Sequence, residues 1–194
     1  MVRCLVTAVA AILWAISGVA CNRTNDRDAT PKERAHVSEP DWVGRKIVSQ
    51  PSPRGWFVWD SGDGIRVSAP VEFRQQPVPG TLMLRAEHDG VLYSVGVFND
   101  LPQVQGSYKP AEHFEIFLNN FAESSGYVRD GLSERLWISG YPCAQAHFAA
   151  GDMHAVVRVM HPVKRTVSLS VLMPGEVSEE NPAIGGFLNS LKLD

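Results

Sequence analysis

Two histidines, His147 and His154, flank Ala150-Gly151-Asp152 and are the first residues to weigh for chemistry. With Gly151-Asp152 as the reversal of a hairpin, Ala144, Ala146 and Phe148 share a face with Met153, Ala155, Val157 and Val159. The opposite face carries Gln145, His147, His154 and Arg158, and its two imidazoles become diagonal neighbours within side-chain reach. Two imidazoles begin a metal site, but a site wants a third ligand, commonly a carboxylate or another histidine. Asp152 is near in sequence only, and Arg158 on the same face repels a cation. His147 and His154 are thus weak metal candidates. Their face as a metal-dependent or enzymatic surface is the alternative to a merely solvated or helix-covered polar face.

Cys143 follows Pro142 without a Cys-x-x-Cys partner or a fixed histidine spacing, so it reads as a small packed residue and not a nucleophile. Neither a Gly-x-Ser-x-Gly elbow nor a Ser-x-x-Lys signature is present. Glu179-Glu180 are adjacent acids in a Pro/Gly-rich loop and read as solvated. Gly185-Gly186 lies inside a helical pattern, where close packing against a sheet explains it better than phosphate binding. Trp56, Phe57 and Trp59 could anchor an interface, or seal the core from an edge strand. No catalytic or cofactor motif emerges.

The elements that would position these groups are short strands and two helices. Trp56–Asp60 and Ile65–Ala69 flank the turn-rich Ser61-Gly62-Asp63-Gly64. Leu82–His88 and Val91–Phe98 flank Asp89-Gly90, a pair that tolerates positive φ and so closes tight hairpins. Pairing His88 with Val91 puts Leu82, Leu84 and Ala86 on one face with Val91, Tyr93, Val95 and Val97, as a half-buried sheet requires. From Lys109 to about Glu123, Phe114, Phe117, Leu118 and Phe121 recur at helical spacing, with Pro110 in the first turn and Ser124-Ser125-Gly126 at the stop. Strands are expected over Leu132–Ser139, Ala144–Ala149, Met153–Met160 and Thr166–Met173. Asn181-Pro182 opens a last helix bearing Ile184, Phe187, Leu188 and Leu191. The order predicts an α+β domain over residues 54–194, with a largely antiparallel sheet and helices packed on it.

The N-terminus is different material. Arg3 precedes an apolar run from Leu5 to Ala20, too short to span a bilayer comfortably, ending in small residues. Residues 1–20 read as an export signal. Gly18-Val19-Ala20-Cys21 resembles the lipobox of a bacterial lipoprotein, with Gly18 where an aliphatic residue is usual. The resemblance implies lipid attachment at Cys21 and a membrane anchor. Gly18-Val19-Ala20 also satisfies the small-x-small rule of ordinary signal cleavage, which would leave the chain simply secreted. Asn22 in place of the aspartate that resembles an inner-membrane retention signal favours the outer membrane, facing the periplasm. Residues 22–53 are rich in charge, Pro, Ser and Thr and read as a spacer. As a coil its mean reach would be on the order of 30 Å. Trp42-Val43 and Ile47-Val48 within it could dock on the domain.

Of the 18 Lys and Arg, one is Arg3. The remainder after residue 20 therefore sets 17 against 21 Asp and Glu, a net −4. Without a basic stripe this argues against a nucleic-acid partner.

Local motifs also resemble the PsbP-like fold, named after an extrinsic protein of photosystem II and shared by bacterial envelope lipoproteins. They are Asp63-Gly64-Ile65-Arg66-Val67-Ser68-Ala69-Pro70, Leu92-Tyr93-Ser94-Val95 before Asp100-Leu101-Pro102, Ile138-Ser139-Gly140-Tyr141-Pro142-Cys143, and Phe187-Leu188-Asn189-Ser190-Leu191-Lys192-Leu193. Ile65, Cys143 and Leu191 depart from the family's commoner aromatic, Gly and Phe. The resemblance implies an αβα sandwich, no shared catalytic residues and no cofactor. It also implies a binding or assembly role, with an envelope protein, lipid or glycan as partner.

Overall fold

A computed structural model describes residues 42–99, 109–162 and 165–193. The signal segment, Cys21 and Asp100-Leu101-Pro102 lie outside them. Eleven strands and two helices are formed among the described residues. The strands are β1 (Arg45–Ile47), β2 (Phe57–Asp60), β3 (Ile65–Ala69), β4 (Arg74–Val78), β5 (Thr81–His88) and β6 (Val91–Asn99). After α1 (Pro110–Ser125) come β7 (Val128–Ile138), β8 (Tyr141–Ala150), β9 (Met153–Met160) and β10 (Arg165–Pro174). The chain closes with α2 (Pro182–Asn189) and β11 (Lys192–Leu193).

Eight strands form one sheet in the order β1-β7-β8-β9-β10-β6-β5-β4, and β11-β3-β2 form a second. Every pairing is antiparallel except β1 with β7. The fold is α+β. The expected register of the Asp89-Gly90 hairpin is observed, with His88 opposite Val91 and Leu84 opposite Val95. Asp89 takes φ 51° and Gly90 φ 76° to close it.

The large sheet is covered on both sides. On one face α1 buries Phe114, Leu118 and Phe121 against Ala146, Phe148, Ala155 and Val157. On the other, α2 and the small sheet bury Ile184, Phe187, Leu188, Val67 and Ala69 against Leu84, Tyr93, Val95, Leu169 and Val171. Alternation along each strand sends successive side chains to opposite faces, so Leu92 meets α1 while Tyr93 stacks edge-on against Phe187 at 5.2 Å.

The helix ends follow their sequence signals. Gly126 closes α1 in the left-handed region at φ 73°, donating its N–H to the Ala122 carbonyl. Asn181 caps α2, its side chain accepting from Ala183 N at 2.9 Å.

Three features depart from the sequence expectations. β7 starts at Val128, not Leu132, because its polar first half joins the ladder through a register shift between Asp130 and Glu134. A bulge breaks the alternation that would have announced a strand. β4 lay in no expected strand, as Arg74-Gln75-Gln76-Pro77-Val78 is polar and carries a proline; it sits at the sheet edge, where a missing N–H is tolerated. Finally, Trp42 and β1 belong to the folded unit ahead of residue 54. Trp42 is only 3% exposed, and Arg45, Lys46 and Ile47 pair with Leu136, Trp137 and Ile138.

Candidate functional site: a groove beside Trp42 and a buried arginine network

The polar face of the β8–β9 hairpin is assembled as expected and then divided by α2. His147 and His154 lie at its open end as diagonal neighbours, His147 opposite Val156 and His154 opposite Ala149. His147 is exposed and His154 half-buried. Among the described residues, no cluster of three His, Cys, Asp or Glu side chains is placed to hold a metal.

The other half of that face is buried. Gln145 and Arg158 sit directly opposite each other in the ladder, and Arg158 is wholly covered. Each of its three guanidinium nitrogens nevertheless donates a hydrogen bond. Nε donates to Gln145 Oε1, Nη1 to the Leu188 carbonyl and Asn189 Oδ1 at 2.9 Å each, and Nη2 to Glu179 Oε2 at 2.7 Å. Gln145 Nε2 completes the ring by donating to Glu179 Oε1 at 2.5 Å.

Glu179 is thereby no solvated loop acid, contrary to the sequence reading, while Glu180 stays exposed. Burial alone would raise the Glu179 carboxyl, but the Arg158 charge and the Gln145 hydrogen bond outweigh it and hold it below the usual carboxylate range. A buried arginine with four donated bonds joins the sheet, α2 and the loop ahead of it. That is cohesion, not catalysis.

The glycine pair of α2 serves the same junction. A Cβ on Gly185 would lie 2.2 Å from the Glu179 carbonyl oxygen, and one on Gly186 would lie 2.9 Å from the Trp56 ring. The close approach is therefore to the Glu179 backbone and Trp56, not to the sheet. Trp56 and Trp59 pack on the core from the β2 edge, while Phe57 and Val58 face outward. Cys143 is completely buried, and burial pushes its thiol up to about 12, which leaves no thiolate for nucleophilic work.

A shallow groove of about 320 Å³ opens on the α1 side of the sheet. The buried Trp42, Phe114 and Ala144 lie beneath it, Ala111 and Leu132 flank it, and Glu115, Ser133 and Arg135 supply its polar groups. Trp42 is fixed at four points. Its Nε1 donates to the Leu136 carbonyl at 3.0 Å, and its own carbonyl accepts from Trp137 Nε1 at 3.1 Å. Its ring meets Phe114 edge-on at 5.5 Å and carries the Arg135 guanidinium 5.0 Å above it.

Across the groove, Glu115 takes a bidentate pair from Arg129 at 2.6 and 3.1 Å and a hydrogen bond from Ser133 Oγ at 2.5 Å. The Arg129 hydrogen bonds hold the Glu115 carboxyl below its usual range against a smaller opposing effect of burial. The β7 bulge shapes the rim. Gly131 at φ 75° turns the strand so that Ser133 reaches Glu115 while Leu132 stands 96% exposed. With Glu115 engaged by Arg129 and Ser133, the exposed Arg135 is the charged group the groove presents to a partner. None of these groups is a nucleophile paired with a base.

Sequence reasoning overlooked this groove because its parts are scattered over residues 42, 111–115, 132–135 and 144. The one available signal was Trp42, an isolated aromatic within a polar stretch.

Two of the quoted PsbP-like motifs, residues 63–70 and 187–193, meet at one joint. Ser190 Oγ accepts from Ser68 N at 3.0 Å and donates to the Phe187 carbonyl at 2.8 Å, locking α2 to β3 where β11 pairs. The α+β domain is PsbP-like in fold. The solution structure of cyanobacterial PsbP (CyanoP) from Synechocystis matches it with a TM-score of 0.51 at 13% identity, covering 72% of this chain and 92% of that one. A crystal structure of a protein from Bacteroides thetaiotaomicron matches with a TM-score of 0.39 at 9% identity, over 78% of this chain and 49% of the other. No protein-family profile and no curated protein matches the chain.

Proposed function

We propose that this protein is an exported bacterial lipoprotein, held through lipid on Cys21 in the outer membrane and facing the periplasm. Its PsbP-like domain, an αβα sandwich in layering, is a non-catalytic binding or assembly module. The observation that carries the binding role is the groove beside Trp42, whose polar groups suit recognition and offer no activated nucleophile. The export signal over residues 1–20, the lipobox-like Gly18-Val19-Ala20-Cys21 and the likeness to CyanoP support the rest. The partner class is an envelope protein, lipid or glycan.

Metabolic palmitate labelling with Cys21→Ala as control tests the anchor. Label on the wild type alone is expected, and an unlabelled soluble wild type would overturn it. Crosslinking from membranes tests the binding role. A reproducible adduct lost on Arg135→Glu is expected, and an adduct indifferent to the groove would argue against this site.

A further inference from the structure

We infer that the Trp42 end of the domain faces the lipid surface, with Leu132 and Val43 seated at the boundary between head groups and acyl chains. The inference rests on the reading of Cys21 as the lipid-bearing residue. Its first support is where the chain joins the fold. Trp42 is locked to β7 by reciprocal hydrogen bonds with Leu136 and Trp137, and Gly44 abuts the Arg135 carbonyl so closely that a Cβ would lie 2.6 Å from it. The segment between anchor and the first described residue of the domain is therefore at most residues 22–41, shorter than the 22–53 expected from sequence. Fully extended, 20 residues span at most about 70 Å. The membrane is thus always within reach of the domain, and the surface around Trp42 is the part held nearest the anchor.

The second support is what that surface presents. Val43, adjacent to the entry point, is 79% exposed and Leu132 is 96% exposed. Leu132 is held out by a defined device. The bulge between Asp130 and Glu134, with Gly131 at positive φ, turns Ser133 toward Glu115 and leaves Leu132 projecting. Bulges re-aim side chains in this way. Leu132 lines the groove above the buried Trp42, and Val43 is the residue that follows Trp42, so both exposed groups lie near the chain's entry. The exposed Arg135 guanidinium, stacked over Trp42 and beside Leu132 in the groove, suits a phosphate head group. An apolar tip with a flanking cation is the chemistry of interfacial binding.

The test uses the full acylated protein in phosphatidylethanolamine–phosphatidylglycerol vesicles. A polarity-sensitive dye is attached at Leu132→Cys, at Val43→Cys, or at Val58→Cys on the edge of the three-stranded sheet. Cys143 stays unlabelled because it is buried. Spin-labelled lipid is expected to quench the first two dyes at least threefold more than the third. Protein that floats with vesicles but shows no difference between the sites overturns the inference and leaves the anchor standing. Preferential quenching at Val58 overturns the orientation. Protein that fails to float removes the anchor, and the inference with it. Crosslinking from Leu132 to a protein partner in place of lipid would also overturn it.

Discussion

Arg158 and Glu179 are joined Nη2 to Oε2 at 2.7 Å, the guanidinium wholly buried and the carboxylate reached from solvent along one edge. Twenty-one positions apart in sequence, they tie β9 to the loop that leads into α2. Removing one partner of such a pair strands the other. Glu179→Ala is expected to cost roughly 3 kcal/mol, with Glu179→Gln costing less because an amide still accepts one hydrogen bond. Urea denaturation of the three proteins checks the order, and equal midpoints would refute it.

The same pair has a pH signature. Folding holds the Glu179 carboxyl below its usual 4.5, so the unfolded chain binds the proton first as pH falls. The stability it contributes is complete above about pH 4.5 and is lost as pH falls through the folded value. Wild type and Glu179→Gln should therefore converge in Tm on acidification below 4.5.

A second pH effect acts at milder acidity. His113, on the first turns of α1, sits 5.1 Å from the His161 ring and 3.0 Å from Thr166 Oγ1. Burial, with the His161 charge, lowers His113 from 6.5 to about 4. Burial lowers His161 as well. A depressed histidine contributes stability above its unfolded pKa that is lost as pH falls through the folded one. Stability should thus begin to fall below pH 6.5, before the carboxylates protonate. His113→Gln should flatten the 6.5-to-4 portion of a Tm-against-pH curve while leaving the lower limb.

The glycines of α2 differ in what they touch. Gly185→Ala forces a methyl onto the Glu179 carbonyl, which the backbone cannot yield, and is expected to cost about 1–3 kcal/mol despite better helix propensity. Gly186→Ala meets the side chain of Trp56, which can shift, and should cost less. Comparable midpoints for the two variants would contradict this reading.

Cys143 offers a simple check of the core. With its thiol pushed up to about 12 and no exposure, it should resist aromatic disulfide reagents in native buffer and react in denaturant. Rapid native modification would mean that β8 opens locally. Trp42→Ala, which empties a ring packed on Phe114, is expected to lose about 3–5 kcal/mol, and to loosen the entry of the chain.

Local patterning made much of the fold legible. The Asp89-Gly90 and Gly151-Asp152 turns set hairpin registers, because a two-residue periodicity admits one face only to the core. The Phe114, Leu118 and Phe121 spacing announced α1, and Asn181-Pro182 its successor. Even the face shared by Gln145, His147, His154 and Arg158 followed from alternation. The sequence by itself determined the α+β class, those turns and the absence of a recognisable catalytic motif. Tertiary structure decided which polar residues matter. Whether Glu179 meets solvent or Arg158, and whether Trp42 belongs to a spacer or a core, depends on partners up to 95 positions away. Contacts between distant segments are set by the packing of whole faces, which a window of neighbouring residues does not contain.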